Sequence, residues 1–176
     1  MARRLFLMRH GKALWPEGVP DHERPLAPRG HEAVPNMAQK LSGLVDEIDL
    51  AIVSTARRTR ETFARISEVI PDIPHRFMSD IYEAPPGAIL EVVQELPIFA
   101  RNVLIVGHNP GLQTLALYLA STEASEQDAL RRLERKLPTA GLIHLELPVS
   151  WDEIDAGWAR LVHFITPAMI GGIDED

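Results

Sequence analysis

Three short segments place histidine or arginine beside turn-forming residues, directly after an apolar run. The segments are Arg9-His10-Gly11, the arginine-rich residues 54–62, and Gly107-His108-Asn109-Pro110-Gly111. An arginine side chain can bind two phosphoryl oxygens at once. A neutral imidazole can attack phosphorus and carry the phosphoryl group. Two histidines and two arginines that meet in one cleft would therefore form a site for a phosphoryl group.

His10 is the candidate nucleophile, and Arg9 is its immediate neighbour. An imidazole attacks best when a hydrogen bond fixes one ring nitrogen and the other nitrogen faces the ligand. The guanidinium of Arg9 would bind phosphate oxygens and would disfavour the protonated imidazole. His108 would donate a hydrogen bond to a phosphoryl oxygen as charge builds in the transition state.

Arg57, Arg58 and Arg60 stand near the start of a predicted helix, where positive charge opposes the helix dipole. An anion bound at the helix N-terminus would offset that cost. Only one or two of the three can point into the cleft, and we expect the others at the surface. Lys12, two residues after His10, either contacts phosphate or lies in solvent, and the sequence leaves both open.

Composition restricts the class of protein. Hydrophobic residues make up 45% of the 176-residue chain, charged residues 24%, and the formal net charge is -7. An acidic chain argues against general nucleic-acid binding. There is no cysteine, and no H-E-x-x-H spacing, so we predict no metal and no cofactor. The apolar run after residue 4 is too short for a signal core or a membrane span, so we expect a cytoplasmic protein without a membrane partner.

Alternating strand and helix patterns predict one α/β domain over residues 1–176 with a mainly parallel sheet. The predicted strands cover residues 4–9, 50–53, 73–77, 102–106, 141–147 and 161–165, and the predicted helices cover 30–44, 56–70, 88–96, 112–120 and 125–137. Pro35 is expected only near the first turn of its helix. The strand at 141–147 alternates as if one face were in solvent, and the acidic tail 171–176 is expected to fray.

The three segments together resemble the histidine phosphatase superfamily, the phosphoglycerate-mutase-like group. Asp21-His22-Glu23-Arg24-Pro25-Leu26 with Gly30 is similar to its D-x-x-R-P-L…G segment. The short chain, the segment at 107–111 and Lys136-Leu137-Pro138-Thr139 resemble the SixA-like phosphohistidine phosphatase branch. The resemblance covers roughly residues 4–166.

This resemblance implies a three-layer α/β/α sandwich and a reaction through a phosphohistidine enzyme intermediate that water hydrolyses without metal. His10 would be the phosphorylated nucleophile, Arg9 and Arg58 would clamp the phosphoryl group, and His108 would complete the pocket. Arg58 takes the superfamily's arginine position, four residues after Ser54 and four before Thr62. Gly11, Lys12, Arg24 and Asn109 are further candidates for substrate binding from their positions in the chain, and for Lys12 and Arg24 the sequence leaves substrate contact open.

The general acid is the part that the resemblance does not supply. Larger members of the superfamily use a carboxylate in the loop after Asp80, and SixA-like members lack a clear equivalent. Glu83 is the possible general acid here, with Asp80 and Asp21 as lesser candidates, or Glu83 is a solvated loop residue. A positioned acid contributes roughly 10²–10⁴ in rate when an alkoxide leaves. A phosphorylated imidazole can instead be protonated on its own second nitrogen, because histidine titrates near ~6.5.

The sequence therefore predicts a phosphohistidine phosphatase whose partner is a phosphotransfer domain or phosphocarrier protein, with a role in signal transduction. One alternative is a small-molecule phosphomonoesterase that uses Glu83 as the acid. The other is a non-catalytic module that binds a phosphorylated ligand.

Overall fold

The computed structural model describes residues 2–176 of the chain. Its strands are β1 (Arg3–Arg9), β2 (Leu50–Ser54), β3 (His75–Met78), β4 (Asn102–Gly107), β5 (Leu142–Leu147) and β6 (Arg160–Ile165). Its α-helices are α1 (Pro28–Leu44), α2 (Arg57–Val69), α3 (Pro86–Gln94), α4 (Gly111–Leu119) and α5 (Gln127–Arg135). Among the helices of residues 2–176, none combines the length and apolar character needed to cross a membrane.

The strands form one sheet in the order β3-β2-β4-β1-β5-β6. Strand β1 pairs in parallel with β4 and antiparallel with β5, so β5 is the strand that runs against the other five. Successive β1 side chains point to opposite faces. Leu5 and Leu7 join the core under α3, α4 and α5, while Phe6 and Met8 join the core under α1 and α2. The predicted three-layer α/β/α fold with a mainly parallel sheet is thus confirmed.

The sheet topology gathers the predicted site at one edge. Arg9 at the end of β1 pairs with Gly107 at the end of β4, and Val53 of β2 pairs with Val106 of β4. The loops that follow these three parallel strands therefore leave the sheet side by side. Ligands of open α/β sheets bind at this carboxyl edge.

Two sequence expectations about regular structure are wrong. Helix α1 begins at Pro28, two residues early, so Pro35 lies inside the helix and not in its first turn. Pro28 is favourable at the first helical position, because its fixed φ suits a helix and the N–H that proline lacks would have no partner there. Strand β5 also lacks the predicted solvent face, because Leu142 packs into the α1–α2 core and His144 stacks on Phe6 at 4.6 Å.

The last helix and the tail also depart from expectation. Helix α5 is shorter than the predicted 125–137: the side chain of Glu126 caps it, and Ser125 lies before it and accepts a hydrogen bond from the backbone N–H of Leu161. The tail is not frayed, because the carbonyl of Glu175 accepts a hydrogen bond of 2.9 Å from the backbone N–H of Thr139.

Gly30, at the start of α1, packs against the loop that follows His10. A Cβ atom there would lie 2.3 Å from the carbonyl oxygen of Lys12. We expect Gly30→Ala to lower the free energy of unfolding by about 1–3 kcal/mol, because the loop must shift. Gly43 lies in the same helix with nothing within 4 Å of its Cβ position, and Gly43→Ala should stabilise by roughly 0.5–1 kcal/mol. Denaturant unfolding of both variants measures these changes. Equal changes in the free energy of unfolding would refute the close packing of Gly30 against the loop.

Candidate active site

A pocket of about 400 Å³ opens at the carboxyl edge of the sheet. Its lining residues are Arg9, His10, Lys12, Ala13, Trp15, Asp21, Arg24, Arg58, Glu83, Asn109 and Asp176. Most predicted site residues therefore meet in one place, and His108 lies directly behind Glu83 and Arg58. Among the described residues, no group of three or more histidine, cysteine, aspartate or glutamate side chains is arranged to hold a metal ion.

The buried ring of His10 has a defined proton position. Its Nδ1 atom lies 2.7 Å from the carbonyl oxygen of Gly11. A carbonyl can only accept, so Nδ1 carries the proton and Nε2 keeps its lone pair. Burial lowers the pKa of His10 well below its ordinary value; the hydrogen bond to Gly11 opposes this shift, and the nearby His108, Arg58 and Arg9 add to it. The ring is therefore neutral at physiological pH and nucleophilic at Nε2.

Arg58 is held between two carboxylate-bearing loops. Its side chain is 1% exposed, whereas Arg57 is half exposed. Its Nη1 atom donates to the backbone carbonyl of Asp21 at 2.8 Å, and Nη2 donates to the Asp21 carboxylate at 3.0 Å and to Glu83 at 2.7 Å. These contacts fix the plane of the guanidinium in the pocket wall.

Arg9 is positioned by the segment that follows α5. Its Nη1 atom donates to the carbonyl oxygen of Leu137 at 2.9 Å, and Asn109 donates to the same oxygen at 3.2 Å. The side-chain amide oxygen of Asn109 in turn accepts a hydrogen bond from the backbone N–H of Gln113 in α4. Two pocket residues thus share one anchoring carbonyl, which links the ends of β1 and β4.

His108 is also buried and neutral. Its Nε2 atom lies 2.7 Å from the hydroxyl of Ser54, and its Nδ1 atom lies 3.1 Å from the carboxylate of Glu83. Burial, followed by the charge of Arg58, lowers the pKa of His108 to about 3. Its ring centroid is 5.4 Å from that of His10, although His108 is not one of the residues that line the pocket.

The carboxylates of the pocket differ in their surroundings. Burial raises the pKa of Asp21, but hydrogen bonds from Tyr82, Arg24 and Arg58 outweigh it and hold that pKa well below its usual range. Asp21 is therefore ionised and cannot donate a proton at neutral pH. Glu83, in the left-handed backbone region with a φ of 47°, places its carboxylate against Arg58 within the pocket.

The remaining predicted residues have distinct places. Arg24 is buried, donates to the carbonyl of Leu14 at 2.9 Å, and stacks on the exposed ring of Trp15. Lys12 reaches the tail, where its Nζ atom donates to the backbone carbonyl of Asp176 at 2.8 Å. Asp80, a lesser acid candidate, is an exposed residue of the short turn after β3.

Sequence reasoning missed several residues that support this pocket. Thr62 accepts a 3.0 Å hydrogen bond from the backbone N–H of Gly11 and donates to the carbonyl of Arg58 at 2.7 Å. Its position four residues after Arg58, on the same helix face, was an available signal. Tyr82 and Asp176 had no local signal, because each reaches the site through contacts between segments far apart in the chain.

The buried histidines predict a steep loss of stability in acid. Unfolded histidines bind a proton near pH ~6.5, whereas burial lowers the pKa of His108 to about 3 and of His144 to about 4. Between these values the unfolded state holds more protons, so stability falls as pH falls, by up to about 1.4 kcal/mol per pH unit for each histidine. Urea unfolding from pH 6.5 to 4.5 measures this slope. We expect His108→Gln to reduce this slope by the contribution of about one proton. A wild-type free energy of unfolding that does not change over this pH range would contradict the neutral state of the buried histidines.

Known proteins resemble the chain over nearly its whole length. The family model of the histidine phosphatase superfamily (branch 1) matches residues 5–95. An uncharacterized protein of Mycobacterium tuberculosis (strain CDC 1551 / Oshkosh) is 34% identical over 160 residues, which cover 91% of this chain and 99% of that protein.

Solved structures show the same relationship. The structure of a candidate phosphohistidine phosphatase SixA from Nakamurella multipartitia has a TM-score of 0.84 and 29% identity, covering 95% of this chain and 97% of that one. A candidate SixA from Agrobacterium tumefaciens has a TM-score of 0.79 and 25% identity, covering 95% and 99%. The chain therefore belongs to the histidine phosphatase superfamily, where its structure groups with the SixA-like members.

Proposed function

We propose that this protein hydrolyses phosphohistidine on a partner protein, through a phosphohistidine intermediate on His10 and without a metal. Membership of the superfamily supports phosphatase activity, and the SixA-like structures support phosphohistidine as the substrate. The observation that carries the proposal is the 2.7 Å hydrogen bond between Nδ1 of His10 and the carbonyl of Gly11, because it leaves Nε2 as the nucleophilic nitrogen.

In the first step, Nε2 of His10 attacks phosphorus while Arg9 and Arg58 bind the phosphoryl oxygens. The bond between phosphorus and the substrate nitrogen breaks, and its electron pair stays with that nitrogen. The substrate ring is protonated on its other nitrogen, so it leaves as a neutral imidazole. His10 becomes positively charged, and its Nδ1 proton still binds the Gly11 carbonyl.

In the second step, water attacks the phosphorus bound to His10. The bond to Nε2 breaks, its electron pair returns to Nε2, and the ring leaves as a neutral imidazole that keeps its Nδ1 proton. The proton lost by water goes to an oxygen of the phosphate product. A pocket of about 400 Å³ has room for a phosphoryl group and an attacking water.

The acid–base groups favour phosphohistidine over phosphate monoesters. Both leaving groups in the scheme are imidazoles that depart neutral, so neither step requires a strong acid. Asp21 is ionised, and Glu83 already accepts a hydrogen bond from Arg58. The partner would be a phosphotransfer domain or phosphocarrier protein that presents its phosphohistidine to the pocket.

The placement of Glu83 favours a second candidate function, a small-molecule phosphomonoesterase. Its carboxylate lines the same pocket as His10 and lies 3.1 Å from the ring of His108. Release of phosphate from a phosphohistidine-bearing phosphocarrier, compared with release from an alkyl phosphate, separates the two. We expect the carrier to have the much higher kcat/KM, and the reverse order would favour the monoesterase.

Glu83→Gln tests whether that residue acts as an acid. If Glu83 protonates an alkoxide leaving group, the variant should lose roughly 10²–10⁴ in kcat for an alkyl phosphate. Hydrolysis of p-nitrophenyl phosphate should change little, because nitrophenolate leaves without help, and carrier hydrolysis should be retained. An equal loss on all three substrates would instead show that Glu83 positions Arg58 or His108.

A further inference from the structure

The acidic tail, residues 171–176, is bound along the rim of the active-site pocket. The backbone carbonyl of Glu175 accepts hydrogen bonds from the N–H and the hydroxyl of Thr139 at 2.9 and 3.4 Å. The side chain of Glu175 pairs with Arg29 at 3.0 Å. Asp176 follows and is itself one of the residues that line the pocket.

Two lysines hold Asp176 in that place, and we call Lys12 and Lys136 the cationic rim. The Nζ atom of Lys136 lies 3.0 Å from the Asp176 carboxylate, and Nζ of Lys12 donates to the Asp176 backbone carbonyl at 2.8 Å. The hydrogen bond from Lys136 lowers the pKa of Asp176, and the charges of Arg9 and Lys12 contribute in the same direction. The carboxylate therefore lies within the positive field of the phosphoryl site.

Asp176 alters the charge balance of the pocket. The cationic lining residues are Arg9, Lys12, Arg24 and Arg58, and the acidic ones are Asp21, Glu83 and Asp176. Arg24 and Arg58 already pair with Asp21 and Glu83. With Asp176 in place, the lining has a net formal charge of only +1 to attract an incoming dianion. If Asp176 moved out of the pocket, this charge would rise to +2.

We propose that the cationic rim is a docking site for the carboxylates of an acidic segment in the protein substrate, and that the acidic tail occupies it in cis as a competitor. The tail is a built-in example of such a segment: it carries three consecutive acidic residues, Asp174, Glu175 and Asp176, of which Asp176 contacts the rim. The identity of the natural occupant rests on the proposed function. The competition between tail and anion does not.

The first test measures the Kd of inorganic phosphate by calorimetry at low ionic strength, where charge screening is weak. Asp176→Asn should bind phosphate about two- to fivefold more tightly than wild type, the range expected for loss of one exposed ion pair. Asp174→Asn is the matched control, since it removes the same charge from the same tail but contacts the backbone of Ala168. Its Kd should stay close to the wild-type value, and the gain at Asp176 should vanish at high salt.

The second test supplies the occupant in trans. A peptide Gly-Gly-Ile-Asp-Glu-Asp, added to the full-length Glu175→Gln/Asp176→Asn variant, should weaken phosphate binding. The Asn/Gln counterpart of the peptide should have no effect, and Lys136→Met should abolish the effect of the acidic peptide.

Any one of four results would overturn the proposal. Two concern phosphate affinity in the variants: no change in Asp176→Asn, or an equal gain in Asp176→Asn and Asp174→Asn. The other two are an acidic peptide without effect and the absence of phosphate binding by every form. A protein whose phosphate and peptide results are as expected, but which releases no phosphate from a phosphohistidine carrier, would keep the rim as an acidic-peptide site. That result would reject the proposed substrate alone.

Discussion

Replacing His10 with alanine should lower kcat/KM for phosphohistidine hydrolysis by at least about 10⁴-fold, as expected when a covalent nucleophile is lost. The reason is geometric as well as chemical. Burial keeps the His10 ring neutral, the hydrogen bond to Gly11 holds its proton on Nδ1, and no other imidazole in residues 2–176 occupies this position in the pocket. The assay is phosphate release from a phosphohistidine-bearing phosphocarrier under single-turnover conditions.

The matched control for this variant is His31→Ala. His31 lies in α1, where its ring contacts Arg65 outside the pocket, and its loss should leave kcat/KM within about twofold, as is usual for surface substitutions. His10→Gln should be as inactive as His10→Ala, since an amide cannot attack phosphorus. More than a few per cent of wild-type activity in either His10 variant would refute the assignment of the nucleophile.

Arg58→Lys should lower kcat/KM by roughly 10²–10³-fold, the usual cost of removing one donor from a stabilised oxyanion. Lysine keeps the charge but lacks the planar fork. The guanidinium of Arg58 bonds to Asp21 and Glu83 and has a further N–H for the phosphoryl group. A lysine ammonium cannot make all of these contacts at once. Initial rates on the phosphocarrier, with circular dichroism to verify folding, measure the effect.

Arg57→Lys is the control one residue away. Arg57 is half exposed and pairs with Glu61 on the outer face of α2, so this substitution should change kcat/KM less than about threefold. If Arg58→Lys behaved like Arg57→Lys, the clamp would not depend on the forked hydrogen bonds of Arg58.

The sequence supports the arrangement of the sheet and the candidate site because those signals are local. Apolar runs mark β1 and β4, and the turn residues after them place His10 and His108 at adjacent strand ends. Parallel pairing then brings the two rings to a centroid separation of 5.4 Å. Arg58 is buried with Thr62 one helical turn later, which agrees with its spacing in the chain.

The features that sequence reasoning could not supply depend on contacts between distant segments. The alternating pattern of β5 predicted a solvent face, but the pattern does not show that Phe6 and the α1 side of the core cover it. Composition suggested a frayed tail, because three acidic residues appear unfavourable until Lys12 and Lys136 lie beside them. The hydrogen bond from Tyr82 to Asp21 also joins segments far apart in the chain, so no local pattern in the sequence predicts it.

The measurement that tests the central claim most directly is rapid quenching of the reaction with a radiolabelled phosphohistidine carrier. The quench is made in alkali, which preserves phosphohistidine, and the labelled peptide is then identified by mass spectrometry. The proposed mechanism predicts label on His10 that forms before phosphate is released and decays at least as fast as kcat. Phosphate release at the full rate with label on no residue, or on a residue other than His10, would contradict it.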